Sequence, residues 1–68
     1  MTLEQYVKGL VDGTLGTDEQ QQTLEVVEHM WDWEKDLLGC NTIEEANKTI
    51  AEWGGDHEVI EMARRLYK

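Results

Sequence analysis

The sequence predicts an all-α fold, a small single domain of four helices around a long central second helix. Three observations carry that reading. Proline is absent, and the six glycines fall at or near the points where helical patterning breaks. Apolar residues recur at i, i+3, i+4 and i+7 through most of the chain. Threonine or aspartate precedes each helical run, where a helix N-cap belongs.

Thr2 can cap a first helix over about 3–12. Leu3, Tyr6, Val7, Leu10 and Val11 make its apolar stripe. Gly9 inside that stripe costs roughly 1 kcal/mol relative to alanine and would let another helix approach closely. Asp12-Gly13 reads as a stop. Leu15, in the connection that follows, is placed to staple the loop to the core.

The stretch from Thr17 to Gly39 predicts the second helix, over about 18–38. Thr17 and Gln20 fit a capping box, and Asp18 and Glu19 suit the positive end of the helix dipole. Such a helix would be about 31 Å long. Thr42 with Glu45 predicts another capping box and a third helix over about 43–53, ended by Gly54-Gly55. Asp56 caps a fourth over about 57–67, striped by Val59, Ile60, Ala63, Leu66 and Tyr67.

At roughly 100° per residue, the central helix shows two apolar lines. Leu24, Val27, Trp31 and Leu38 form one. Val26, Met30, Trp33 and Leu37 form the other. Together they cover about half the circumference, more than a helix on one neighbour needs. Either the rest of the chain covers both lines, or the Val26–Met30–Trp33–Leu37 line is the interface of a homodimer. A chain of 68 residues buries a modest core, which favours a partner.

The remaining face is acidic. Glu25, His29, Asp32 and Asp36 lie within roughly 60° of one another, with Glu28 alongside. Carboxylates at i, i+4 stand about 5–6 Å apart at Cβ, a spacing comparable with successive phosphates of a nucleic acid. Glu25, Glu28, Asp32 and Asp36 are therefore the candidate partner-binding residues.

Fifteen acids against six bases give a net charge of −9. Arg64, Arg65 and Lys68 close the chain, so residues 1–63 hold 15 acids and 3 bases, a net −12. Direct nucleic-acid binding and attachment to anionic membranes are disfavoured, and a protein with a basic surface is the expected partner. The lone Cys40 excludes an internal disulfide and suits a reducing compartment. No basic-then-apolar leader and no membrane-length apolar run is present, so a cytoplasmic protein is expected.

Catalytic and metal chemistry find little support. Glu25, His29 and Asp32, or His57 with Glu58, lack the spacing of a specific metal motif. Cys40 follows a helix C-terminus, whose dipole opposes a thiolate. No phosphate-binding glycine loop exists. No metal and no cofactor are expected. No motif is specific enough to name a family. The expectation is a non-enzymatic inhibitor or regulator, of the kind phages and mobile elements carry. It would dock an acidic helix face on a basic protein surface, with nucleic-acid mimicry as one form of that contact. The alternative is an assembly protein acting through its Trp/Met-containing apolar line.

Overall fold

Thr17 and Thr2 start their helices by the same device. Each hydroxyl accepts the N–H of the residue three further on, and each glutamine there reaches back to the threonine N–H. The computed structural model describes residues 1–67, and among them every element is helical. The order is α1 (Leu3–Asp12), α2 (Asp18–Val27), α3 (Trp33–Leu38), α4 (Ile43–Gly54) and α5 (His57–Leu66). The described chain measures 36 × 20 × 17 Å.

Gly13 ends α1 in the left-handed conformation, at φ +79°, where its N–H caps the carbonyls of Gly9 and Leu10. Asp56 caps α5 by accepting the Glu58 N–H. At α4 the box is only half formed. Thr42 accepts the Glu45 N–H at 3.1 Å, but the Glu45 carboxylate turns to the Asn41 N–H at 2.9 Å. It thereby satisfies a donor of the preceding turn instead of the cap residue's own.

The predicted helix over 18–38 is two helices. α2 stops at Val27, residues 28–32 form a turn, and α3 restarts at Trp33. The last bonds of α2 tighten: the N–H groups of His29 and Met30 donate to Val26 and Val27, three residues back. Asp32 then caps α3, its carboxylate accepting the Lys35 N–H at 3.4 Å. Two physical causes act together. In a continuous helix Glu28, Asp32 and Asp36 would repel at i, i+4, and aspartate gains more as a cap than inside a helix. The break also resolves the two apolar lines, since α2 packs on α4 and α5 while α3 turns away to pack on α1. The long central helix around which four were to be arranged is therefore replaced by a bent pair.

The core gathers Tyr6, Val7 and Leu10 of α1, Leu24, Val26 and Val27 of α2, and Trp33 and Leu37 of α3. Ala46 and Ile50 of α4 and Val59 of α5 complete it. Trp31 lies edge-on to Trp53, with ring centres 5.8 Å apart, which ties the turn to α4. Among the described residues no polar side chain is fully buried. No described helix is long and apolar enough to cross a membrane.

Candidate functional site

The bend between α2 and α3 shapes the surface on which the acidic residues sit. Gln21 fixes one wall. Its side-chain amide donates to the carbonyls of Leu15 at 2.6 Å and Leu10 at 3.2 Å, holding the end of α1 against α2. The other wall is the start of α3, positioned by the Asp32 cap. Two adjoining grooves lie between them, of about 440 and 370 Å³. Val11, Glu28 and Trp33 line both.

Charge is concentrated there. Asp18 and Glu25 line the first groove, and Asp32 and Glu34 the second, with Glu28 common to the two. No lysine or arginine among the described residues lines either. Leu10 and Leu24 at the first groove and Trp33 at both are buried, so the exposed lining is mostly polar. Val11, which lines both grooves, is 49 % exposed.

The four predicted contact residues are divided by this geometry. Glu28 is exposed at the junction of the grooves. Glu25 lines the first groove and also faces Tyr67 at the end of α5. Its carboxylate raises the Tyr67 pKa, first by hydrogen bonding, with partial burial and its negative charge adding to the effect. Asp32 lines the second groove while its carboxylate caps α3. Asp36 is exposed on α3 and lines neither groove. The regular carboxylate row required an unbroken helix, and the turn at 28–32 interrupts it between Glu28 and Asp32.

The apolar line lies in the interior. Val26, Trp33 and Leu37 are buried, Trp33 retaining 9 % exposure, and Met30 is half-buried against the same cluster. α1, α4 and α5 cover what a homodimer interface through this line would have to expose. The apolar residues that remain exposed lie elsewhere: Val11, Leu38, Ile60, Leu66 and Tyr67, besides Met1.

Glu25 lies on α2, His29 in the turn and Asp32 at the cap of α3. Among the described residues no three His, Cys, Asp or Glu side chains are gathered as a metal ion would need. His57 pairs with Glu61 at 3.1 Å on the exposed side of α5. Cys40 is half-buried, its Sγ 3.8 Å from the Thr49 hydroxyl.

Val11, Asp18, Trp31 and Glu34 join this site without having been singled out for it. Val11 closes the apolar stripe of α1, which reads as core. Trp31 belongs to an apolar line for the same reason. Asp18 and Glu34 are explained as first-turn acids. The signal for their association is the Asp32 cap, because the bend it permits brings α3 back towards the end of α1.

Comparison with known proteins yields no relative: no protein-family model, no curated protein and no solved structure matches the chain.

Proposed function

We propose that this is a non-enzymatic binding protein, an acidic inhibitor or regulator that docks on a basic surface of a protein target. The observation that carries the reading is the grouping of Asp18, Glu25, Glu28, Asp32 and Glu34 around the grooves beside Val11, with no base among the described lining residues. A net charge of −9 supports it by drawing basic partners from a distance and repelling nucleic acid. The contact is a grooved surface at a bend. A straight row of carboxylates imitating phosphates has no continuous helix to stand on.

The test compares the wild-type chain with a Glu25→Lys/Glu28→Lys variant whose helicity is unchanged. The wild type retains a target protein at low salt and releases it as salt rises. The variant does not retain it. Equal retention by the two, insensitive to salt, overturns the proposal.

A further inference from the structure

Helix α5 gives the core less than any other helix. Of its ten residues only Val59 is buried. Ile60, Leu66 and Tyr67, on α5 or at its end, are three of the six large apolar residues left exposed among the described residues. Ile60, Ala63 and Tyr67 form one wall of an open groove of about 690 Å³. Gln22 and Thr23 of α2 and Gly54-Gly55 at the end of α4 stand opposite. Val26, Ile50 and Val59 at this groove are buried, so the apolar surface it offers is the α5 wall, where Ile60 is 39 % exposed.

Charge decides what fits against that wall. Helices α1 to α4 each hold more acids than bases. Helix α5 holds two of each, and in order: Glu58 and Glu61, then Arg64 and Arg65. A foreign basic surface finds no excess of acid here. For a second copy, α5 is the place where two chains of net charge −9 repel least. An antiparallel pair of α5 helices also sets the acidic half of each against the basic half of the other. We propose that the Ile60–Ala63–Tyr67 face is the interface of a two-fold homodimer, in which α5 packs antiparallel on α5 of a second copy.

Helix geometry gives the register. At roughly 100° per residue, Ala63 and Tyr67 lie within about 60° of Ile60, while Arg64 and Glu61 follow on its other side at about 40° and 100°. With the two-fold axis midway between Ile60 and Tyr67, each Ile60 packs on the other copy's Tyr67, and the small Ala63 lets the helices approach closely. The two Arg64 side chains meet near the axis, and a Glu61 on either side compensates them. Glu61 also meets His57 at 3.1 Å, and both it and Arg64 are exposed. A ten-residue helix is about 15 Å long, so the contact is at the small end of protein interfaces and the dimer is reversible.

Sedimentation equilibrium of the full chain over a range of concentrations reads the dimer, and amide NMR shifts on dilution locate it. A monomer–dimer equilibrium is expected, strengthened as salt screens the net charge of each copy. Docking on a basic target weakens with salt, so the two readings are distinguished by sign. Dilution shifts Ile60, Ala63 and Tyr67. Ile60→Lys weakens dimerisation about tenfold or more with helicity unchanged, as expected for loss of a central apolar contact. Val11→Lys, the same change at an exposed residue outside this groove, does not. At low salt Glu61→Arg and Arg64→Glu each weaken the dimer about threefold or more, and the exchange Glu61→Arg/Arg64→Glu restores it.

A monomer at every concentration and salt overturns the proposal. So do equal losses from Ile60→Lys and Val11→Lys, or masses that grow beyond the dimer. An exchange that fails to restore the dimer overturns the antiparallel arrangement.

Discussion

The Leu15 side chain occupies the space directly over Gly9. A Cβ built on Gly9 would lie 2.6 Å from Leu15 Cγ, well inside contact distance. Glycine in the middle of α1 thus admits the loop residue that closes the α1–α2 connection. Two effects compete in Gly9→Ala. Helix propensity favours alanine by about 1 kcal/mol, and overpacking against Leu15 costs about 1–3 kcal/mol. The clash is with the branched core of the leucine, which has little freedom to move, so the substitution destabilises. Denaturant unfolding of the four members of a cycle checks this. Gly9→Ala lowers stability in the wild-type background and costs less when Leu15→Ala has already emptied the space.

Tyr6 ties α1 to α4 through its hydroxyl, which donates to the Asn47 side-chain carbonyl. The same oxygen accepts the Gln20 amide at 3.1 Å, so one half-buried asparagine joins three helices. Tyr6→Phe removes one of these bonds and leaves Asn47 the other, at a cost of about 1 kcal/mol. Asn47→Leu leaves two donors without partners and costs more. Midpoints of urea unfolding order the two variants, and the order Asn47→Leu below Tyr6→Phe below wild type is expected.

The helix start at Thr17 could be read residue by residue because a capping box is local, its donors and acceptors lying within four positions, while at Thr2 only the cap residue was read and Gln5 completes the same box. Buried positions such as Val7, Leu10, Leu24 and Val59 followed from periodicity for the same reason. The turn at 28–32 is different. Nothing in Glu28-His29-Met30-Trp31-Asp32 forbids a helix; there is no glycine or proline, and leucine, tryptophan and valine continue the pattern on either side. Carboxylate repulsion and the Asp32 cap weaken a helix there without forbidding one, and tertiary packing settles it. Trp33 and Leu37 find cover on α1, which a straight helix would not give them. The groove inherits this difficulty, because Val11 and Glu34 become neighbours only after the bend. The acidic character of the surface was plain in composition, whereas its grouping at the two grooves was not.

Asp32 has the stronger structural claim on its carboxylate, which caps α3 at the Lys35 N–H. Asp32→Ala removes the cap of a six-residue helix that holds Trp33 and Leu37 in the core. A loss of about 1 kcal/mol is expected, within the range for N-caps, and Asp32→Asn retains most of it. Thermal unfolding monitored by circular dichroism distinguishes the two. Equal destabilisation by alanine and asparagine would show that charge, and not the cap, is what Asp32 supplies.

Glu25 and Tyr67 make the high-pH limb of stability depend on one contact between α2 and the end of α5. The folded chain holds the Tyr67 pKa above its ordinary value near 10, mainly through the Glu25 hydrogen bond. The neutral phenol is therefore favoured in the folded state. Below the unfolded pKa both states are protonated and the contribution is fully present. As pH rises from there through the raised folded pKa, the unfolded chain releases its proton first and the contribution is lost. Tyr67 is 52 % exposed, so solvent screens the effect and the change in stability is small. The titration itself is the sharper readout. Phenolate absorbance, with Tyr67→Phe subtracted to remove Tyr6, follows Tyr67 alone. Glu25→Gln brings its pKa down towards the ordinary value, because the amide is a weaker acceptor for the phenol hydrogen and no longer repels the phenolate. An unchanged midpoint in that variant would show that the Glu25 carboxylate does not reach the hydroxyl in solution, and that the end of α5 is not anchored on α2 by this contact.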